Sequence, residues 1–212
     1  MRNTKARCIT FCLAVSLFTA GHVWSNTIYV EPLGNDTRSG LDAWTNAVAT
    51  IGVGVSKASG GDIILVSNGT YNITAAISIT IGITLTNFRG NPEDTIINAQ
   101  GLDRVLYVAH TNALVSGFSL INGRAAGFAG VYLANGIVEN CLISSNHSTG
   151  NSGGGGGYVT GISTLRYCTV SANTATNSSN AAGGGLRLAG TNAHLIGCRI
   201  IGNSASNGAV AS

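Results

Sequence analysis

An all-β solenoid, a parallel β-helix with a short capping helix at its N-terminus, is the fold class that three features of the sequence predict. The first is a repeat. Val138-Glu-Asn-Cys141-Leu-Ile143-Ser-Ser-Asn146 aligns with Leu165-Arg-Tyr-Cys168-Thr-Val170-Ser-Ala-Asn173 and again with Leu195-Ile-Gly-Cys198-Arg-Ile200-Ile-Gly-Asn203, at steps of 27 and 30 residues. The second is a period of two inside each copy, where Cys-x-Ile or Cys-x-Val sends alternate side chains to opposite faces of a strand. The third is what lies between the strands: Gly, Asn, Ser and Thr, which favour tight turns and left-handed backbone positions. The chain of 212 residues holds 30 Gly and only 2 Pro.

Taken in order, residues 1–25 read as a secretory signal peptide. Arg2, Lys5 and Arg7 form a basic start, and a mostly apolar run follows from Cys8 to Ala20. Gly21 breaks the run, and Val23-Trp24-Ser25 offers small residues at cleavage positions. The run is short for a membrane span, which needs about 20 apolar residues. Residues 26–60 form an N-terminal strand and capping segment. Thr27–Val30 is strand-like, Gly34–Gly40 is a turn-rich loop, and Ala47–Ala58 places Ile51, Val55 and Ala58 at helical spacing, with Gly52 and Gly54 weakening the pattern.

Residues 61–212 are the coils. Asp62–Val66, Ile77–Thr80, Ile83–Thr86, Thr95–Asn98 and Val105–Val108 are strand candidates, and Val115-Ser-Gly-Phe118-Ser-Leu120 is a weaker first copy of the repeat. A second set of strands intervenes at Gly130–Leu133, Gly157–Val159 and Gly185–Leu188. The Gly153–Gly157 run lacks the Lys-Ser/Thr ending of a phosphate-cradling loop and reads as a flexible turn. Gly208-Ala-Val opens one more strand before the chain stops at Ser212. An ordinary coil at that end leaves strand edges open, so the coils are expected to continue beyond residue 212, or the chain to self-associate end to end.

Stacking such coils about 4.8 Å apart turns like residues into columns. Phe118, Cys141, Cys168 and Cys198 form one interior column, with Leu120, Ile143, Val170 and Ile200 beside it. Asn146, Asn173 and Asn203 stack at a bend and pass amide hydrogen bonds from coil to coil. The three cysteines are an odd count for a disulfide framework in an exported protein. They read as buried free thiols, with an inter-coil disulfide as the alternative. A metal site is disfavoured, because thiols that point the same way do not converge on an ion.

Removing the leader takes three of the 11 basic residues and none of the 8 acidic ones, which leaves a mature chain of zero formal charge. No basic patch with interleaved aromatics remains, so nucleic acid is not an expected partner.

Tyr29-Val30 with Gly34-Asn-Asp, Gly61-Asp-Ile-Ile-Leu-Val66 with Asn68-Gly-Thr-Tyr71, Gly117–Gly123 and the recurrent Cys-x-Ile/Val-x-x-Asn followed by Gly-Gly together resemble the right-handed parallel β-helix proteins of the pectate-lyase-like superfamily. Within it, the chain is similar to bacterial exported repeats of the polymorphic outer-membrane-protein type. The resemblance implies a fold over essentially the whole mature chain. It implies little about activity, because this fold hosts lyases, hydrolases, adhesins and inert stalks.

For catalysis, the resemblance leads one to look for carboxylates gathered around calcium with an Arg or Lys as base, or for two carboxylates flanking a scissile bond. Seven of the 8 acidic residues lie at or before Asp103, and only Glu139 falls in the Cys-bearing coils. The strongest pair is Glu139 with Arg166, at equivalent offsets one coil apart, as a salt bridge or a sugar contact. Asp94 and Asp103 beside Arg104 are expected to be solvated loop residues. His110, His147 and His194 share no offset and no Ser or Asp partner.

No cofactor and no metal ligand set is expected, and the mature chain offers no transmembrane segment. The leading expectation is a secreted or outer-surface module, structural, adhesive or glycan-contacting, whose partners are surface polysaccharides or the glycans of host or neighbouring cells. The alternative is a polysaccharide lyase or hydrolase whose catalytic coils lie beyond residue 212.

Overall fold

The computed structural model describes residues 25–150, 154–176 and 183–206. The expected leader, except Ser25, and the strand expected at Gly208 lie outside the described residues. The chain opens with β1 (Thr27–Val30) and the helix α1 (Ile51–Lys57). Coils then follow: β2 (Ile63–Val66) and β3 (Gly69–Asn72); β4 (Ile77–Ile79), β5 (Thr84–Asn87) and β6 (Thr95–Asn98); β7 (Leu106–Ser116), β8 (Ser119–Ile121) and β9 (Arg124–Ala125). The next is β10 (Val131–Glu139), β11 (Leu142–Ser144) and β12 (His147–Ser148). The last two are β13 (Gly157–Val159), β14 (Ser163–Arg166), β15 (Thr169–Ser171) and β16 (Thr174–Thr176), then β17 (Leu186–Leu188), β18 (Ala193–Ile196), β19 (Arg199–Ile201) and β20 (Ser204–Ser206).

Equivalent strands of successive coils pair in parallel and build three sheets. This is the expected all-β, right-handed parallel β-helix with one short helix near its N-terminus. Because strands pair in register, each inward residue sits on its counterpart in the next coil. Ile28, Ile64, Leu85, Val115, Val138, Leu165 and Leu195 form one interior column. Tyr71, Ile97, Leu120, Ile143 and Val170 form another, continued in register by Ile200, which was expected inside but is exposed because no described coil follows to cover it. The second column is the expected one, extended toward the N-terminus by two residues. Phe118, Cys141 and Cys168 are buried beside it, and Cys198 is half-buried on the last coil. All three cysteines are free. Contact with the Cys141 thiol and burial push the Cys168 thiol up, and burial pushes Cys198 up. Protonated thiols are poor nucleophiles and poor metal ligands, so Cys168 and Cys198 serve as small hydrophobes.

The expected amide ladder is present. The Asn146 Nδ2 donates to the Asn173 Oδ1 at 2.9 Å, and the Asn173 Nδ2 donates to the Asn203 Oδ1 at 2.9 Å. Each Oδ1 also accepts the backbone N–H of the preceding ladder residue, at 3.0 Å in both steps. Each Nδ2 reaches one coil back to a carbonyl, of Leu120, Ile143 or Val170 in turn. Opposite the amides stand Gly130, Gly156 and Gly185, where an added Cβ would come within 2.9 Å of the Asn146, Asn173 and Asn203 Nδ2 atoms. Gly156 therefore belongs to the interior. Gly153 of the expected flexible turn lies outside the described residues, and the rest of it is not a loose surface turn: Gly154–Gly157 are buried and Gly157 already lies in β13.

The corners bend through left-handed residues at equivalent places, which include Asn140 and Tyr167 in one series and Ser145 and Ala172 in the next. The cap forms because Asp36 accepts from the Ala49 and Thr50 amides at 2.8 and 2.9 Å, while the Thr50 hydroxyl accepts from Val53 N. Gly54, which weakened the helix pattern, has a positive use. A Cβ there would lie 2.9 Å from the Val30 Cγ2, so only Gly lets α1 settle on the end of the core.

Among the described residues, two buried hydroxyls are without a partner, those of Thr95 and Ser148. The Ser148 Oγ is buried and unbonded, in a column with Ala125 and Ala175. An orphaned buried hydroxyl costs about 1–3 kcal/mol, so Ser148→Ala is expected to stabilise by about 1 kcal/mol. Urea unfolding should show a higher midpoint at unchanged slope; a lower midpoint contradicts the assignment.

Tyr71 generates a pH prediction. Its buried hydroxyl lies 3.2 Å from the Val30 carbonyl and 3.1 Å from the Ser67 hydroxyl. Burial pushes its pKa from the ordinary 10.0 up to about 12, with the Ser67 bond opposing and Glu31 adding slightly. The unfolded phenol ionises first. This contribution is therefore complete below about pH 10 and is lost as pH rises toward 12, by about 2–3 kcal/mol. Tyr71→Phe should flatten that part of the stability curve, and an unchanged curve would contradict the shift.

Candidate functional site

Glu139 and Arg166 stand directly opposite each other on β10 and β14. The Arg166 Nε donates to the Glu139 Oε2 at 2.6 Å, and a second guanidinium nitrogen lies 2.5 Å from the same oxygen. The expected pair is thus formed, on the outer face, with Arg166 38% and Glu139 22% exposed. An ion pair this wet contributes about 0–1 kcal/mol. Leu142–Ser144 follows one corner later, so the pair sits on a rigid stack rather than on a loop.

The other sequence candidates do not converge. Both oxygens of Asp103 are taken by backbone amides, Oδ1 by Arg104 N at 2.7 Å and Oδ2 by Ala76 N at 3.0 Å. Asp103 therefore ties two coils together, a structural use in place of the expected solvated loop residue. Asp94 ends a short 3-10 turn at Pro92–Asp94. The His110 Nδ1 accepts from Asn112 N at 3.1 Å, His147 bonds the Thr176 hydroxyl at 2.9 Å, and His194 is exposed on β18. Among the described residues, no group of three or more His, Cys, Asp or Glu is placed to hold a metal ion.

A column that the repeat alignment left out is the most distinctive feature of the exterior. Tyr107, Tyr132, Tyr158 and Arg187 are in register on β7, β10, β13 and β17, and the three tyrosines stand on outward positions between buried neighbours. Tyr107 and Tyr132 have ring centroids 5.1 Å apart, and Tyr132 and Tyr158 are 5.6 Å apart. Phe128 stacks on Tyr158 at 4.2 Å and leans on Tyr132 at 5.4 Å. Arg104 lies 5.4 Å over the Tyr132 ring, its Nε donating to the Phe128 carbonyl, and Arg187 lies 5.4 Å over Tyr158.

The signal for this column was present but interrupted. The tyrosines recur at steps of 25 and 26 residues, and Arg187 follows 29 later. The first copy follows Arg104-Val-Leu where the later ones follow glycines, so a pattern anchored on Gly misses it.

Chemically, the stripe offers apolar ring edges, three phenol hydroxyls and two guanidinium groups spaced at one coil each. Rings that pack against each other and cations over ring faces stiffen such a surface. A rigid row of aromatic and hydrogen-bonding groups suits a ligand with alternating apolar and hydroxyl faces. A second aromatic group, Tyr29, Trp44 and Phe88, makes edge contacts at 4.8 and 5.5 Å near the capped end.

No protein-family model matches the sequence, and no curated protein matches it. Two solved structures are similar in fold. A rhamnogalacturonan lyase is 14% identical with a TM-score of 0.49, over 85% of this chain and 52% of its own. A pectin methylesterase from Aspergillus niger is 13% identical with a TM-score of 0.35, over 88% of this chain and 87% of its own. The chain thus spans about half the length of the lyase. The strand pairing of the chain itself carries the assignment: this is a right-handed parallel β-helix repeat protein.

Proposed function

We propose that the protein is an exported β-helix module that contacts polysaccharide at the cell surface, in a structural or adhesive role, through the Tyr107–Tyr132–Tyr158 stripe. The observation that carries this reading is the register of three outward tyrosines with Arg104 and Arg187 over their rings. Sugar rings present C–H faces to aromatics and hydroxyls to phenol and guanidinium groups. A chain of sugars laid along the solenoid axis would meet the same contact at each coil. Export is supported by the basic, apolar and small-residue order of residues 1–25. Among the described residues, no helix is long and apolar enough to cross a membrane.

The column also stabilises the stack, since aromatic pairs are worth about 0.5–1.5 kcal/mol each. The test must therefore separate binding from folding. Arrayed neutral and acidic polysaccharides, probed with calcium and with chelator, should retain the mature chain. Tyr132→Ala should weaken retention about tenfold, the scale of one lost aromatic contact and hydroxyl, while circular dichroism still reports the β-helix. Retention of no glycan, or equal retention by Tyr132→Ala, would contradict the proposal. Calcium-dependent release of unsaturated oligosaccharides, abolished by Arg166→Ala, would replace it with the enzymatic alternative and make Glu139–Arg166 the site.

A further inference from the structure

Where the sheet of β6, β8 and β11 turns into the sheet of β9 and β12, three successive coils enclose a shallow cleft of about 470 Å³. Its side chains are those of Asn98, Gln100, Asn122, Arg124, Ser145 and His147, every one of them polar. No Asp or Glu lines it, and no Tyr, Phe or Trp.

The corner holds these groups in place. Gln100, Asn122 and Ser145 are left-handed, with φ of 55°, 55° and 57°. Gly101 N donates to the Asn122 carbonyl at 2.7 Å, Arg124 N to the Asp103 carbonyl at 2.9 Å and His147 N to the Gly123 carbonyl at 2.8 Å. Arg124 and His147 therefore stand directly opposite each other on β9 and β12. The His147 Nε2 bonds the Thr176 hydroxyl at 2.9 Å, which fixes the ring.

The groups left unbonded define the ligand. The Asn122 Nδ2 is committed to the Asn98 Oδ1 at 3.0 Å, and the Gln100 Nε2 to the Ile73 carbonyl at 3.3 Å. Among the described residues, the Asn122 Oδ1 and the Gln100 Oε1 have no donor, and the exposed Arg124 guanidinium has no acceptor. Asp103, whose carbonyl holds the Arg124 amide, gives its carboxylate to the Arg104 and Ala76 amides instead. The cleft thus combines one free cation with two amide oxygens that need donors. A guanidinium takes a carboxylate through two parallel bonds, and amide oxygens accept from hydroxyls. A bare oxoanion would turn negative charge toward the amide oxygens. A neutral sugar would leave the guanidinium with water alone.

We propose that this corner cleft binds a single sugar acid, its carboxylate on Arg124 and its hydroxyls on Asn122, Gln100 and Ser145. The cleft lies on other sheets than the tyrosine stripe, and the proposal does not rest on what the stripe binds.

The probe is glucuronate, added to the isotope-labelled mature chain, with glucose and inorganic sulfate as comparison ligands. Glucuronate should shift the backbone amide resonances of Gly101, Gly123 and His147 saturably. Glucose and sulfate should bind at least about tenfold more weakly, since each loses part of the hydrogen-bond set. Arg124→Gln removes the cation at an exposed position and should weaken glucuronate about tenfold. Gln100→Glu, nearly the same in shape, sets a like charge in the cleft and should weaken it as well. Resonances away from the corner report that both variants are folded. No saturable shift, or glucuronate binding that neither variant weakens, would overturn the proposal. Sulfate binding as tightly as glucuronate would overturn it in favour of a plain anion site, and glucose doing so in favour of a neutral-sugar site. The resonances that shift are local to this corner, so the outcome is separate from glycan retention by the tyrosine stripe.

Discussion

The constraint on which the rest of the structure depends is the buried amide ladder of Asn146, Asn173 and Asn203 facing Gly130, Gly156 and Gly185. Short parallel strands of three or four residues have little register of their own, and a slip of one residue exchanges core for surface. The amides remove that freedom. Asn146 and Asn173 each bond the coil before and the coil after, inside the solenoid, where a lost partner is not replaced by water, and the half-buried Asn203 bonds the coil before it. The glycines opposite are equally restrictive, because any side chain there would displace an amide. Once these coils are locked, the aliphatic and thiol columns follow, and so do the outward columns that carry the candidate site.

The site is in this sense a by-product of register. Tyr107, Tyr132 and Tyr158 are 25 and 26 residues apart in the chain, and only the parallel pairing brings their rings within 5.1 and 5.6 Å. The same pairing joins Glu139 to Arg166 across 27 residues. A solenoid thus converts one residue per coil into a continuous stripe, which suits recognition of repeating ligands better than it suits a catalytic cluster drawn from many directions. At the capped end the logic reverses. There α1 replaces a strand, the repeat is broken, and the helix packs the side of β4 away from β7.

Much of this was legible in the sequence. The Cys, aliphatic and Asn columns could be read because one residue type recurs at one offset, and the contact between Glu139 and Arg166 followed from that alignment. What escaped did so for physical reasons. The tyrosine column begins on a coil without the flanking glycines and ends in Arg187, so its members look unlike one another. The Gly154–Gly157 segment was indistinguishable from a loop, since glycine serves flexible turns and tight interior contacts alike. Gly54 counted against a helix by propensity, although close approach to Val30 requires it. A second, solvent-facing amide chain through Asn72, Asn98 and Asn122, with 3.0 Å bonds, went unseen because its spacing does not follow the cysteines.

That outer chain supplies the control for the most direct measurement. Asn173 and Asn98 are each the middle member of a three-amide ladder, one buried and one exposed to water. Equilibrium unfolding of Asn173→Ala and Asn98→Ala compares the same chemistry in the two settings. If the interior ladder sets the register, Asn173→Ala costs at least about 3 kcal/mol, because several buried donors and acceptors are orphaned together, while Asn98→Ala costs under about 1 kcal/mol. Equal and small losses for the two variants would contradict the account.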